Sequence, residues 1–305
     1  MIFITAKVHP YLLEVLKTKG YEYSYEPSIS YTDLQQRIGS ATGLIVTTRL
    51  DIDKQLLNNA DNLKWIGRLG SGMERIDVEF AGSRGIQCIS SPEGNSNAVA
   101  EHALALVLNL FRNICKSEKE IASGLWLRDE NRGTELSGKT VGIIGFGHTG
   151  TAFAKLLSVF GVTVLAYDKY KFDFGGGYIK EATADHICKY ADIISFHVPL
   201  NSETRHMGSA EFFNKTESQP IIINTSRGAV INSSDLLLAL NTGKVRAAAL
   251  DVLENEEIMS FNQHESDIFQ QLNTHQNIIL TPHIAGYTHE AFLNMSKVLI
   301  RKLDL

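Results

Sequence analysis

Short apolar runs that read as strands alternate with helical patterns along almost the whole chain, and this alternation limits the fold more than any other feature. In the first third the strand candidates are "IFITA" (2–6), "YEYSY" (21–25), "GLIVTT" (43–48), "LKWIGRLG" (63–70) and "IQCIS" (86–90), with helical patterns such as "HPYLLEVLKTKG" between them. Strands that alternate with helices build βαβ units and a parallel sheet, and continuously apolar strands are those covered on both faces. A long helical stretch follows, "AVAEHALALVLNLFRNICKSEKEIASG" (98–124), in which Ala100, Leu104, Val107, Leu108 and Phe111 keep helical spacing. The alternation then restarts with "TVGIIGFG" (140–147), "VTVLAYD" (162–168), "DIISFHVP" (192–199), "PIIINTS" (220–226), "RAAALDV" (246–252) and "NIILTPH" (277–283). The expected class is α/β, with two doubly wound parallel-sheet domains hinged near residue 98. A length of 305 residues agrees with two domains. The last helical stretch, "THEAFLNMSKVLIRKL" (288–303), suits either block.

The second block opens with "VGIIGFGHTGTAFAKLL" (141–157), which sets Gly145, Gly147 and Gly150 between a strand and a helix at GxGxxG spacing. The first glycine permits a tight turn. The second lets the backbone approach a pyrophosphate, and the third lets helix and strand pack closely. The helix N-terminus at His148 and Thr149 then offers free N–H groups to phosphate. The next strand ends in Asp168, 18 residues beyond Gly150. An acid there accepts the ribose hydroxyls of adenosine and repels a 2′-phosphate, so the cofactor expected is NAD rather than NADP.

Composition excludes other classes. The net charge is −5 and no basic block occurs, which argues against nucleic acid or a membrane surface as the main partner. Three cysteines, Cys88, Cys115 and Cys188, stand far apart without CxxC spacing, so no metal site is expected and a reducing compartment is. No apolar run approaches 18 residues and the N-terminus lacks a signal-peptide pattern. The expected location is the cytoplasm.

After the glycine loop, successive strands end in polar groups: Asp168, His197 with Pro199, Arg227, Asp251 and His283. In open α/β sheets ligands bind beyond the carboxyl ends of the strands. Reduction of a 2-oxo acid by hydride needs a proton donor near neutral pH, which a histidine provides. A carboxylate orients that histidine, and an arginine grips the carboxylate and carbonyl oxygens. The candidates are His283, Glu256 and Arg227, with Glu254 and Glu257 as rival acids.

These residues carry a resemblance. The segments "GRLGSGMERID" (67–77), "GNSNAVAEHALAL" (94–106), "ELSGKTVGIIGFGHTG" (135–150), "FHVPLNSETRHM" (196–207), "INTSRGAVINSSDLLLAL" (223–240), "AAALDVLENEE" (247–257) and "TPHIAG" (281–286) resemble the NAD-dependent D-isomer-specific 2-hydroxyacid dehydrogenases, in the family's order. The resemblance implies two Rossmann-like domains around an active-site cleft: residues 1–97 with 287–305 for substrate, and 98–286 for NAD. It implies that Arg227 binds and polarises the substrate and that Glu256 pairs with the acid/base His283. Asp251 would hold the nicotinamide carboxamide, with Thr204, Thr225 and Gly286 also beside the cofactor. The N–H groups of Ser71 and Gly72 would grip the substrate carboxylate, and Asn95 would brace that loop. The helix region 98–122 would make a homodimer interface. The pattern departs from the family at Glu257, where a proline usually follows the catalytic glutamate, and at Glu74 and Arg75. The polar stretch 254–276 has no legible shape.

Within the family the closest likeness is to D-3-phosphoglycerate dehydrogenases, through "LIVTTRL" with Arg49, "GRLGSG" with Arg68, and "LWLRDENRGTELSGKTVGIIGFG" with Trp126 and Arg128. That likeness implies a role in serine biosynthesis. A phosphate tail needs two or three cations, which Arg49, Arg68 and Arg128 would supply. No regulatory module is expected beyond residue 305. The alternatives are a hydroxypyruvate/glyoxylate reductase or D-lactate-type enzyme and, more remotely, an NAD-sensing corepressor-like binding protein.

Overall fold

The apolar runs form parallel strands in a five-stranded and a seven-stranded sheet. The computed structural model describes all 305 residues. They fall into two units, Met1–Asn97 with Tyr287–Leu305, and Ala98–Gly286.

In the first unit the strands are β1 (Ile2–Ile4), β2 (Tyr23–Tyr25), β3 (Gly43–Val46), β4 (Trp65–Arg68) and β5 (Gln87–Ser90). Their order, β2-β1-β3-β4-β5, is the flavodoxin-like doubly wound order. Successive residues serve opposite faces. Phe3, Leu44 and Val46 pack with Leu34, Ile38 and Leu56 on one side, while Ile2, Ile4 and Ile45 pack with Leu12, Leu16 and Leu299 on the other. Leu299 belongs to the last helix, His289–Leu303, which therefore closes this unit. That helix is capped by the Thr288 side chain and ends with Arg301 and Lys302 in its last turn, where cations suit the helix dipole. Leu299 is fully buried, and truncating such a leucine to alanine costs about 2–5 kcal/mol.

In the second unit the strands are β6 (Thr140–Ile144), β7 (Thr163–Tyr167), β8 (Ile179–Glu181), β9 (Ile193–Phe196), β10 (Ile221–Asn224), β11 (Ala247–Leu250) and β12 (Ile278–Leu280). The order is β12-β11-β10-β9-β6-β7-β8, so the winding reverses between β6 and β9. Ile143, Ile193 and Ile223 face Ala103, Leu106, Phe153 and Leu157; Ile144, Ile194 and Ile222 face Ile187, Leu236 and Leu240. The edge strand β8 is absent from the sequence reading. Its three residues are exposed or half-buried and mostly polar, so it carries no apolar signal.

Two further departures have physical causes. The stretch 98–124 is not one helix but two, Ser96–Arg112 and Ile114–Ala122, bent by 60°. Asn113 takes a left-handed φ of 54° at the break, and the Asn109 side chain accepts the Cys115 N–H (2.9 Å) beyond it. The polar stretch after residue 254 folds into a helix, Gln263–Thr274, started by a reciprocal cap between Asn262 and Glu265. No single helix is long and apolar enough to cross a membrane.

Candidate active site

The switch point between β6 and β9 is where a doubly wound sheet leaves a crevice. The chain leaves β6 through Gly145 at φ +95°, where a Cβ would stand 2.6 Å from the His197 carbonyl oxygen. Gly150, on the following helix His148–Leu157, lies so close that its Cβ would fall 2.1 Å from the Gly145 oxygen. Space over Gly147 is open, and that residue starts the helix without a side-chain cap. Asp168 follows β7 directly. Its carboxylate accepts the N–H of Phe146 in the glycine turn and of Tyr170, both at 2.9 Å.

The loop after β9 is folded by its own side chains. Thr204 Oγ1 donates to the Pro199 carbonyl (2.6 Å) and accepts the Asn201 N–H (2.9 Å). His197 turns its ring inward, 2.9 Å from Ser195 Oγ and against Phe153. Burial pushes its pKa down to about 4, so the ring is neutral. Thr225 Oγ1, just past β10, is buried with no hydrogen-bond partner. A glycine turn with open backbone, an uncapped helix start, an acid at the neighbouring strand end and an orphaned hydroxyl together suit a dinucleotide.

The neighbouring strands β10, β11 and β12 carry Arg227, Asp251 and His283 just beyond their carboxyl ends. Asn224 shapes the first of these turns: Oδ1 accepts the Ser226 N–H (3.0 Å) and Nδ2 donates to the Arg227 carbonyl (2.9 Å). Gly228 is required behind Arg227, because a Cβ there would meet the Leu253 carbonyl at 1.8 Å. The Arg227 guanidinium is half-buried and donates to the Ser226 carbonyl at 2.7 Å.

His283 Nδ1 lies 2.8 Å from Glu256 Oε2, both side chains a little under half exposed. Of the rival acids, Glu254 accepts the Ser233 N–H (2.8 Å) and pairs with His206 (2.6 Å), while Glu257 is exposed. His283 itself adopts φ +55°. Its N–H donates to the Asp251 carbonyl (2.8 Å), and the buried Asp251 carboxylate takes Thr281 Oγ1 (2.5 Å) and the N–H groups of Ile284 (2.9 Å) and Ala285 (2.8 Å). Thr281 Oγ1 uses its hydrogen on Asp251, so His102 Nε2 at 3.0 Å is the donor to it. The Asp251 carboxylate thereby fastens the loop that carries His283. Asn224, His102, His206 and Thr281 were missed, because polar residues that hold a loop have no spacing signature. Gly286 sits in the turn that follows and is the last residue of the second unit.

In the first unit, Ser91 Oγ accepts the Gly70 N–H (2.9 Å) and donates to the Arg68 carbonyl (3.2 Å), tying the loops after β4 and β5 together. Ser71 and Gly72 follow, half-buried, and Asn95 Oδ1 is buried without a partner. The arginines expected at a phosphate are engaged by backbone. Arg49 donates to the carbonyls of Thr5 (2.7 Å) and Ile29 (2.7 Å), and the buried Arg68 donates to the Leu69 carbonyl. Arg128, in the second unit, is exposed.

The family model for the D-isomer specific 2-hydroxyacid dehydrogenase NAD binding domain matches residues 104–285. A D-3-phosphoglycerate dehydrogenase of Archaeoglobus fulgidus is 32% identical over 98% of this chain and 55% of its own, so the chain spans about half the length of that relative. A hydroxypyruvate reductase of Thermotoga maritima is 34% identical over 89% of this chain and 86% of its own. Among solved structures, a D-lactate dehydrogenase from Aquifex aeolicus, complexed with NAD and lactic acid, superposes with a TM-score of 0.84 at 26% identity, covering 99% of this chain and 94% of that one. The chain belongs to the D-isomer specific 2-hydroxyacid dehydrogenases, and its second unit holds the family's NAD-binding domain.

Proposed function

We propose that this protein interconverts a small D-2-hydroxy acid and its 2-oxo acid. The observation that carries the reading is the His283–Glu256 pair at 2.8 Å, on the same sheet edge as Arg227 and the glycine turn. The chemistry supplied by NAD, when bound, is hydride transfer to or from substrate C2. Gly145, Gly147, Gly150 and the helix start at His148 and Thr149 would hold its pyrophosphate. Asp168 would hold its adenosine ribose, and Thr204, Thr225 and Gly286 would line its path.

His283 works with its Nδ1–H donated to Glu256, which leaves Nε2 to take the hydroxyl proton in oxidation and return it in reduction. The carboxylate opposite Nδ1 stabilises the imidazolium formed on the way. Arg227 offers a planar fork to the substrate oxygens and stabilises charge developing on the C2 oxygen. We assign the N–H groups of Ser71 and Gly72 to the substrate carboxylate and Asn95 to bracing their loop.

For the substrate itself, the relatives named D-3-phosphoglycerate dehydrogenase support D-3-phosphoglycerate. A second reading, an unphosphorylated acid of the hydroxypyruvate or glyoxylate class, is favoured by the backbone bonds that occupy Arg49 and Arg68. Steady-state rates with NAD(H) on D-3-phosphoglycerate, hydroxypyruvate, glyoxylate and D-lactate separate the two. If phosphoglycerate turnover survives both Arg49→Ala and Arg68→Ala, those arginines do not bind its phosphate. No turnover of any 2-hydroxy or 2-oxo acid by the wild type would refute the enzyme reading.

We also infer a homodimer. The helix Ile114–Ala122 buries none of its residues within the chain, and Ile114, Ile121, Leu125 and Trp126 stand exposed along and just beyond it. Such a patch marks an association surface.

A further inference from the structure

β7 and β9 flank β6 on its two sides, and β6 carries the glycine turn. The loops leaving β7 and β9 are joined across its end. Lys169 Nζ meets Glu203 Oε1 at 2.5 Å, and the Tyr170 hydroxyl donates to Glu203 Oε2 at 2.8 Å. Lys169 is the residue directly after Asp168, the acid assigned to the adenosine ribose. A cation next to that acid is the type of group that would receive a 2′-phosphate. The other lysine nearby, Lys171, donates to the Phe146 carbonyl at 2.9 Å. Glu203 is held at its post by the turn beneath it, where Asn201 Oδ1 accepts the N–H groups of Glu203 (2.9 Å) and Thr204 (3.0 Å). A 2′-phosphate entering here meets Asp168 and Glu203, with both lysines already engaged.

We propose that Glu203 is a second determinant of cofactor specificity, excluding the 2′-phosphate of NADP by neutralising Lys169. The inference rests on the reading of the glycine-turn crevice as the NAD site, and it goes beyond Asp168 alone. Removing the carboxylate converts Lys169 from half of an ion pair into a cation available to phosphate. Glutamine at position 203 retains an acceptor for the Tyr170 hydroxyl, so the loops stay joined.

The test is calorimetric titration of the purified protein with NAD and NADP separately, without substrate. Glu203→Gln should lower the NAD-over-NADP preference by roughly tenfold, chiefly through tighter NADP, and 0.5 M salt should shrink that gain because the charges are exposed. Lys169→Gln added to Glu203→Gln should return the preference to within about threefold of wild type, since a gain that comes from an unmasked charge disappears with the charge. A preference unchanged by Glu203→Gln, or a gain that persists in the double variant, overturns the proposal while leaving the NAD site standing. Failure of the wild type to bind NAD at all overturns the site and the proposal together.

Discussion

Acid should weaken the second unit through one buried ring. His197 has a folded-state pKa of about 4 against an ordinary value of 6.5, caused by burial. Because the folded value is depressed, the unfolded chain takes up the proton first. The stability tied to the neutral ring is complete above pH 6.5 and is lost as pH falls from there through 4. By linkage the loss is about 2 kcal/mol at pH 5 and approaches about 3 kcal/mol near pH 4. The comparison variant is His197→Gln, which retains a hydrogen-bonding group for the buried Ser195 but does not titrate. Urea unfolding followed by circular dichroism at pH 7, 6 and 5 gives the midpoints. Wild type should lose about 2 kcal/mol more than His197→Gln between pH 7 and pH 5. NAD affinity of the folded protein should hold over the same interval, because the folded ring stays neutral until pH nears 4. Parallel stability losses in the two proteins would refute the assignment of a neutral buried ring.

Other outcomes follow from the same geometry. His283→Ala should cut turnover by about 10²–10⁴ while calorimetry shows NAD binding retained, because the glycine turn lies elsewhere. Asp168→Ala should weaken NAD much more than NADP in the same titration; equal losses would remove Asp168 from the ribose. Gly150→Ala forces a Cβ into the Gly145 carbonyl and should cost about 1–3 kcal/mol of stability along with NAD affinity, read by thermal unfolding with and without NAD. Ile121→Glu places a charge on the exposed apolar helix and should shift the proposed dimer to monomer in light scattering.

What the sequence made legible was whatever carries a period or a fixed spacing. Continuous apolar runs such as "GLIVTT" and "PIIINTS" correspond to β3 and β10 because burial on both faces demands such runs. The glycine turn was legible because only glycine meets the contacts at 145 and 150. The pairing of Glu256 rather than Glu254 with His283 was not settled by spacing alone, since both acids lie in one loop and only the fold sends Glu254 to Ser233 and His206. The break at Asn113 was hidden because apolar spacing continues past it, and one left-handed residue leaves no mark on a periodicity. The occupation of Arg49 and Arg68 by carbonyls was beyond reach, since an arginine at a strand end reads the same whether it meets a ligand or its own backbone.

The His283–Glu256 pair cannot hold itself in place. Ion pairs this exposed stabilise by only about 0–1 kcal/mol, too little to fix two flexible side chains against solvent. The geometry must come from the backbone on either side. For His283 it does: a left-handed residue is unfavourable, and the bonds made by Asp251 with residues 281–285 hold it there. Glu256 is flanked in the same way. Glu254 is bonded to Ser233 and His206, and Asn255 Nδ2 donates to Glu265 at 3.0 Å. The missing proline at 257 then has a structural counterpart, because the Glu257 N–H donates to Asn255 Oδ1 at 3.0 Å, a bond proline cannot make. A side-chain-closed turn supplies here the stiffness that a proline ring would otherwise bring. The geometry of the His283–Glu256 pair is thus set by buried and loop-spanning polar residues behind it.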